Sequence, residues 1–358
     1  MHYKSLKIEG FRGISKFEIT DLKKINVFVG KNNSCKTTVL ESFFLISGSS
    51  NPQLPVNIHT FRDLVLTSDD DFSYLFHKLD FNSLLKIKAT LSNAEQRTLK
   101  IKPSYNAEID NPNKPLAEED LKSIESNVTS SSYHSVEGIT LEFTTGKTPQ
   151  ENTKVLKTEI SLRNRKITLL KDYKESLHCA FQNSRTGLVQ LDKRLEKIIL
   201  NKQTDDIVAV LKSIENKITN LTLGTNRMIY ADIGLDKFIP INIMGDGIRR
   251  ILSLIVTAHD TKKGILLIDE IENGLHFSSQ KILWKALIEA AIQYDVQLFI
   301  TTHSYECLRS LMDAFTTDDI IKNEFRLFRL ENKNEELKSI RYNWTEFTEA
   351  LQSNWEVR

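Results

Sequence analysis

The chain has 358 residues, of which 40 % are hydrophobic and 27 % charged, and its 48 lysines and arginines against 47 aspartates and glutamates leave a net charge of +1. This composition is typical of a globular protein with a sizeable core, and it excludes a global field that would draw the chain onto nucleic acid or an anionic membrane. Three cysteines without CxxC spacing indicate neither a disulfide framework nor a zinc knuckle and fit a reducing cytoplasm, and no stretch approaches the roughly 18 apolar residues of a membrane span.

The first third of the chain predicts strands and one early helix. Alternating or continuous apolar residues predict strands over 6–8, 17–19, 25–29, 84–91 and 98–102. The strand over 25–29 ends at Gly30, and apolar side chains then recur at helical spacing from Lys36 to about Ile46. A strand, a short loop and a helix are therefore expected in direct succession.

The middle of the chain divides by charge. Residues 105–142 hold eight acidic against two basic side chains and predict a surface loop, whereas residues 151–224 hold 14 basic against nine acidic ones. Two apolar stripes within 188–221 predict a pair of amphipathic helices. We interpret them as a hairpin packed on the core. The alternative is a nucleic-acid-binding arm that uses Arg163, Arg165, Lys166, Lys171 and Lys174.

The last third returns to alternating strands and helices, with buried strands predicted over 265–268 and 297–302. That alternation predicts an α/β fold with a parallel sheet as its core. Beside this core we expect an antiparallel β lobe and an inserted helical region. We expect three parts: residues 1–104 and 225–358 as the two halves of one domain, and residues 105–224 as an insertion with an acidic loop and a basic helical hairpin.

The loop between the first buried strand and the first helix has the spacing of a phosphate-binding loop, GxxxxGK[ST]. Such a loop wraps backbone N–H groups around an anion, while its lysine reaches the β- and γ-phosphates and its hydroxyl binds Mg²⁺. Lys36 and Thr37 supply the last two groups. The nucleotide-binding residues predicted here are Gly30, Lys31, Asn32, Asn33, Ser34, Cys35, Lys36, Thr37 and Thr38.

Cys35 stands where the motif has its second glycine. If that position needs a left-handed backbone, a side chain there costs about 1–2 kcal/mol. We expect nucleotide binding to survive this cost because cysteine is small. A thiol at a helix N-terminus is also expected to have a lowered pKa.

Two carboxylates end the strand predicted over 265–268. The carboxyl end of a strand is where an α/β sheet places its ligands. Asp269 is predicted to bind the metal ion, and Glu270 to orient or deprotonate the attacking water. An acidic turn after a buried strand is the structural alternative.

Two further elements complete the pattern. His303 follows the last predicted buried strand, from where it can hydrogen-bond the γ-phosphate or the attacking water. Gly245, Asp246 and Gly247 precede a predicted helix, so that two glycines leave bare N–H groups at a helix start and Asp246 is available as its cap. Alone, a histidine at a strand end is more often structural, and the GDG segment could equally be a plain glycine turn.

Together and in this order, the phosphate loop, the GDG turn, the segment ILLIDEIENGLH and the strand FITTH resemble an ABC-type ATPase head of the SMC and OLD-like group. The resemblance covers residues 1–60 and 225–358. It implies that Gly245, Asp246 and Gly247 are the signature turn, that Glu272–His276 is the D-loop, and that His303 is the switch histidine. Arg12, in FRG, matches an arginine that contacts nucleotide phosphate.

The same resemblance implies the cofactors and partners. ATP and Mg²⁺ would bind between two heads, with the signature turn of one subunit closing on the phosphate loop of another in a homodimer or larger homo-oligomer. It also implies a separately encoded effector protein and a role in anti-phage defence. No heptad coiled coil separates the halves, and the 55 residues after His303 leave no room for a TOPRIM nuclease domain.

One family element has no clear counterpart, since the Q-loop glutamine is matched only weakly by Gln53 or His77. Two alternative functions stay open beside an active ATPase. One is a nucleotide-sensing scaffold with little turnover, caused by Cys35. The other is a DNA-binding ATPase that uses the basic region 151–224, whose affinity for DNA would fall steeply with salt.

Overall fold

The computed structural model describes residues 1–105, 136–147, 155–168, 170, 173–183, 186, 188–212, 215–315, 322–333 and 336–353. The strands in chain order are β1 (Tyr3–Phe11), β2 (Ile14–Ile19), β3 (Ile25–Val29), β4 (Leu85–Leu91), β5 (Gln96–Tyr105), β6 (Val136–Gly146), β7 (Leu156–Ser161), β8 (Lys166–Thr168), β9 (Cys179–Gln182), β10 (Asn220–Leu223), β11 (Ile229–Asp232), β12 (Ile239–Pro240), β13 (Ile265–Ile268), β14 (Gln297–Thr301), β15 (Phe325–Lys333) and β16 (Glu336–Tyr342).

The helices are α1 (Lys36–Ser47), α2 (Leu54–Thr60), α3 (Leu191–Leu200), α4 (Thr204–Lys212), α5 (Asp246–Asp260), α6 (Phe277–Gln293), α7 (Tyr305–Ala314) and α8 (Trp344–Gln352). Short 3₁₀ segments cover Asp69–Leu75, His77–Leu79 and Ile241–Met244. No helix among the described residues is long and apolar enough to cross a membrane.

A central sheet with the strand order β16, β15, β3, β14, β13, β9 organises the fold. Its strands are parallel except β16, which pairs antiparallel with β15. Because the parallel strands share one direction, their carboxyl ends lie along one edge. That edge receives the segments after β3, β13 and β14, which are the phosphate loop, the acidic pair and the histidine predicted from the sequence.

The central sheet separates two hydrophobic cores, because successive side chains of a strand point to opposite faces. Ile25, Val27 and Val29 of β3 pack in one core, and Phe28 packs in the other. A strand buried on both faces must be apolar throughout, which explains the continuous apolar run of β3.

An antiparallel sheet with the order β2, β1, β4, β5, β6, β7, β8 forms a second layer. Helix α1 lies between the two sheets: the Phe43 ring is 4.1 Å from that of Phe299 in the central sheet and 5.3 Å from that of Tyr3 in the antiparallel sheet, centroid to centroid. Helix α1 is therefore buried on more than one side, and packing from both layers fixes the helix that follows the phosphate loop. The predicted α/β fold with a parallel core and an antiparallel lobe is confirmed.

The region predicted as an insertion contains both expected and unexpected elements. Helices α3 and α4 form the predicted pair, and Leu195, Ile198, Ile207 and Leu211 bury their side chains in the core that also contains α5 and α6. Both helices of the pair therefore pack on the core. Strand β9, however, joins the central sheet beside β13. Most of the predicted acidic loop, residues 106–135, lies outside the described residues.

Candidate functional site

The phosphate loop connects β3 to α1, and the side chain of its lysine, Lys36, bonds back to the start of the loop. Gly30 has φ 149°, and a Cβ there would lie 2.5 Å from the carbonyl oxygen of Leu330 and 2.6 Å from Ser34 Oγ, so only glycine fits. The Lys36 Nζ donates to the carbonyl oxygens of Gly30 at 2.8 Å and Lys31 at 3.0 Å. Burial lowers the pKa of Lys36, while Asp269 opposes that shift.

Cys35 adopts the left-handed conformation that the motif's glycine would take, with φ 61° and ψ 20°, at the residue before α1. A Cβ at Gly13 would lie 3.2 Å from the Cys35 Sγ, so Gly13 leaves room for the thiol. Burial raises the pKa of Cys35, against the opposing charges of Arg62 and Lys36. The predicted lowered pKa is therefore wrong, because desolvation outweighs the nearby positive charges.

An oxygen cluster joins the loop to the acidic strand end. The Thr37 hydroxyl donates to Asp269 at 3.1 Å (Oδ1) and 3.0 Å (Oδ2), and the Thr301 hydroxyl donates to Asp269 Oδ1 at 2.7 Å. Burial raises the pKa of Asp269, and the two hydroxyls oppose the shift. A hydroxyl and a carboxylate next to a phosphate site are the oxygen ligands that Mg²⁺ prefers when substrate phosphates complete its shell. Among the described residues, no cluster of three or more His, Cys, Asp or Glu side chains could hold a metal by itself.

Glu270 and His303 are each fixed by a neighbour. The Glu270 N–H donates to Thr301 Oγ1 at 2.8 Å, and its carboxylate accepts a hydrogen bond from the Asn273 side-chain amide. Glu270 has φ 48°, a left-handed conformation that such contacts must maintain. His303 contacts Glu272, whose Oε1 accepts the His303 backbone N–H at 2.9 Å.

Most of the predicted site residues line one cleft of about 770 Å³. The predicted residues that the cleft brings together are Arg12, Asn32, Asn33, Ser34, Cys35, Lys36, Thr37, Thr38, Asp269, Glu270 and His303. Lys31 lines a neighbouring cavity of about 500 Å³ with Arg329 and Lys333. The Ser34 hydroxyl is buried without a partner among the described residues, which leaves one orphaned donor at the place where a phosphate would bind.

Two arginines that line the cleft, Arg12 and Arg62, belong to an ion cluster that no sequence motif predicts. Glu41 on α1 is fully buried and lies 3.1 Å from the Arg12 Nε and 2.6 Å from the Arg62 Nε. Burial lowers the pKa of Arg12 to about 10, although Glu41 raises it. The one sequence signal for this cluster was Glu41 itself, which lies within the apolar run VLESFFLIS. A carboxylate in such a run is expected to be buried, and a buried carboxylate requires a cationic partner.

The GDG turn lies elsewhere on the chain. Gly245, Asp246 and Gly247 do not line the described cleft. Asp246 is the first residue of α5 with its side chain 89 % exposed, and the residue before α5 is Gly245, with φ 100° and no side-chain cap. The expectation that Asp246 caps the helix is therefore wrong, because the residue lies inside it. A Cβ on Gly245 would meet nothing within 4 Å.

Gln182 was missed by the sequence analysis. It ends β9, in register with Ile268 of β13, and its carbonyl accepts the Asp269 N–H at 2.9 Å. Its side chain donates to the Ser253 hydroxyl at 2.9 Å, and its Oε1 is buried without a partner among the described residues. Neither Gln53, an exposed residue before α2, nor His77 ends a strand of the central sheet.

The basic residues proposed for nucleic-acid binding do not lie on α3 or α4 where the structure describes them. Arg163, Arg165 and Lys166 are exposed at the turn between β7 and β8 and at the start of β8. Lys174 is exposed in the segment before β9, and Lys171 lies outside the described residues. The nucleic-acid-binding interpretation stays a prediction.

A parallel sheet whose edge joins a phosphate loop, a half-buried aspartate and a strand-end histidine defines an ATPase of the phosphate-loop class. The chain belongs to the AAA ATPase domain family, which matches residues 1–308. The predicted recognition as an ATPase is thereby confirmed.

Individual relatives agree with this assignment. A protein of Helicobacter pylori named ATP/GTP phosphatase is 24 % identical over 363 residues, which cover 91 % of this chain and 92 % of that protein. An uncharacterised protein of Methanocaldococcus jannaschii is 33 % identical over 96 residues, covering 27 % of this chain and 82 % of that protein.

Solved structures similar to this chain include SMC heads. An SMC head bound to the C-winged helix domain of ScpA aligns with 98 % of this chain and 100 % of its own at 12 % identity and a TM-score of 0.49. The SMC head domain from Thermotoga maritima aligns with 96 % and 100 %, at 11 % identity and a TM-score of 0.47.

Proposed function

We propose that this ATPase hydrolyses ATP with Mg²⁺ in the cleft between the phosphate loop and the carboxyl ends of β13 and β14. The observation that carries the proposal is the pairing of Thr37 with Asp269 at 3.0–3.1 Å beside the loop lysine. Phosphoryl transfer needs positioning and charge neutralisation above all, and this cleft supplies the groups for both.

Each residue of the cleft has a distinct role in this proposal. Lys36, now bonded to two loop carbonyls, would exchange them for β- and γ-phosphate oxygens, since an ammonium group prefers an anionic acceptor. Thr37 and Asp269 would hold Mg²⁺, which supplies neutralisation of the phosphate charge. Glu270 would orient or deprotonate the attacking water, and His303 would contact that water or the γ-phosphate.

Arg12 and Arg62 bring two positive charges to the same cleft and share one buried carboxylate, Glu41. We propose that Arg12 contacts nucleotide phosphate, as the family resemblance implies. Gln182 is proposed as the Q-loop residue, because it ends the strand beside β13. This assignment replaces the weak matches at Gln53 and His77.

We further propose that two heads close around nucleotide. The GDG turn is exposed and does not line the cleft of its own chain, so its bare helix start is available to the phosphate loop of a second copy. The head would consist of residues 1–104 and 225–358 together with β9. Control of a separately encoded effector, in anti-phage defence, rests on the family resemblance alone.

The hydrolysis proposal is tested by ATP turnover of the purified chain with Mg²⁺ and with EDTA. We expect turnover only with Mg²⁺, and loss of it in Asp269→Asn, which keeps the size of the side chain and removes its charge. Turnover that is unchanged in EDTA or in Asp269→Asn would contradict the metal site.

A nucleotide sensor with little turnover is the second candidate. It is favoured by Cys35, a non-glycine residue in the left-handed conformation at the phosphate loop, and by the contact that ties Glu270 to Asn273. Cys35→Gly distinguishes the two functions. A rise of tenfold or more, about 1.4 kcal/mol in the barrier, indicates a tuned sensor, and little change indicates an active ATPase.

A further inference from the structure

A buried carboxylate in the turn after β13 has a specific contact that the roles above do not use. Glu272 is 9 % exposed, and its Oε1 accepts the His303 backbone N–H at 2.9 Å and lies 3.1 Å from the His303 Nδ1. Its Oε2 is buried and has no hydrogen-bond partner among the described residues. Because burial of a carboxylate is costly unless it is bonded, the contact with His303 is the main compensation for this side chain.

The geometry favours one protonated ring nitrogen in His303. The Nδ1 lies 3.1 Å from the Glu272 Oε1, and because a carboxylate offers only acceptors, a proton on Nδ1 makes this close contact favourable, whereas a bare Nδ1 would set two lone pairs against each other. This holds for the neutral ring and for the imidazolium. Nε2 is then the nitrogen that remains for the cleft, which His303 lines with its side chain 46 % exposed.

The turn that carries Glu272 is held from α5. The Arg250 Nη2 lies 3.4 Å from the carbonyl oxygen of Glu270 and 3.3 Å from that of Ile271, so it supports the two residues before Glu272. Burial lowers the pKa of Arg250, and the Glu272 charge opposes that shift. Arg250 belongs to the first turns of the helix that begins at the GDG turn. The contacts therefore run from that helix through the turn to His303.

We propose that Glu272 is a positioning residue for His303: it keeps Nδ1 protonated and Nε2 turned toward the phosphate cleft. Arg250 holds the turn on which Glu272 lies. The effect on turnover rests on the proposed hydrolysis, whereas the state of the ring exists without nucleotide. The two can therefore be tested separately.

The ring state is tested by the ¹⁵N spectrum of nucleotide-free protein labelled with ¹⁵N-histidine, with His303→Ala used to assign the signals. At about pH 8.5, about two units above the ordinary imidazole pKa, we expect a protonated Nδ1 and a bare Nε2. In Glu272→Gln, whose amide can donate as well as accept, the Nε2–H form should gain a measurable share. An Nε2–H ring in the unmodified protein, or an unchanged ring in Glu272→Gln, would overturn the proposal.

The consequence for hydrolysis is tested by a double-mutant cycle. We expect Glu272→Gln to lower kcat about 10–100-fold, the range found for side chains that orient metal-ligating histidines, with ATP affinity changed less than about twofold. Glu272→Asp, which keeps an acceptor-only carboxylate, should recover part of the loss. In the His303→Ala background, Glu272→Gln should have no further effect.

Equal losses in both backgrounds would show that Glu272 acts on the fold and not through His303. Glu306→Gln is the matched control: the same chemical change, three residues from His303, at an exposed side chain that bonds Ser304 at 3.0 Å. It should leave kcat and the ring spectrum unchanged. If the unmodified chain has no turnover, the proposed hydrolysis fails, and the ¹⁵N spectrum still decides the role of Glu272.

Discussion

Two segments of this chain have the pattern of an anion-binding loop, and they differ in how far the chain itself completes them. In the phosphate loop, the Lys36 ammonium has two carbonyl partners, and Thr37 is bonded to Asp269. The GDG turn has no side-chain cap, its Asp246 side chain is 89 % exposed, and open space surrounds Gly245. The phosphate loop is thus part of a cleft in its own chain, whereas the GDG turn is exposed and lines no part of that cleft.

The difference bears on what one head can do alone. Packing from both sheets fixes α1, so the cleft is assembled before any ligand arrives, and such preorganisation is what phosphoryl transfer requires. A helix start with bare N–H groups gains its effect only when an anion reaches it. We therefore expect one chain to bind ATP and two chains to be needed for turnover.

The largest effect is expected at Glu270. Glu270→Gln keeps the shape and the backbone bond to Thr301 but removes the group proposed to activate water. Turnover should fall about 10³–10⁴-fold while ATP stays bound, because the change affects the transition state and not binding. The measurement is the rate of phosphate release together with the ATP recovered from washed protein. Unchanged turnover would remove Glu270 from the mechanism.

The sequence predicted most of this cleft because its parts are local. A glycine after a buried strand, two carboxylates after another and a histidine after a third are each readable without tertiary information, and parallel strands then bring them to one edge. Strand β9 was missed because four residues inside a basic stretch give too short an apolar signal.

What depends on long-range packing could not be predicted. Glu41 meets Arg12 and Arg62 only after α1, α2 and the β1–β2 turn have come together. The sequence predicted a lowered pKa for Cys35 from its place at a helix N-terminus, whereas in the structure burial raises that pKa. Motif spacing carries no information about desolvation, which decides such shifts.

The next effect concerns the bare turn. Gly247→Glu places a negative charge where a second copy's nucleotide would bind, and the fold should accept it, since a Cβ there lies no closer than 3.4 Å to Ser279 Oγ. Turnover should fall about 10³-fold and ATP binding should persist. Mixing this variant with Lys36→Ala should restore part of the activity, because the mixed dimer keeps one intact composite site. No recovery would argue against sites shared between chains.

A smaller effect concerns stability beside the cleft. His59 on α2 is fully buried, and burial lowers its pKa to about 4. The unfolded chain gains a proton below about pH 6.5 and the folded chain does not, so stability should fall as the pH drops from about 6.5 to about 4. The loss should reach about 3 kcal/mol in urea unfolding. His59→Gln should flatten this dependence, and an equally steep fall in that variant would place its source elsewhere.

The smallest effect is expected at Cys35. Cys35→Gly removes a side chain from a left-handed position and should stabilise the chain by about 1 kcal/mol in thermal or urea unfolding. We expect turnover to change by less than about tenfold, because Lys36 and Thr37 keep their contacts. A larger rise would favour the sensor function over the active ATPase.

The claim that ATP joins two heads is tested most directly by the mass of the Glu270→Gln chain in solution, measured with and without ATP and Mg²⁺. We predict a monomer without nucleotide and a dimer or larger assembly with it, and a monomer under both conditions when Gly247→Glu is added. A mass that does not respond to ATP would contradict this account.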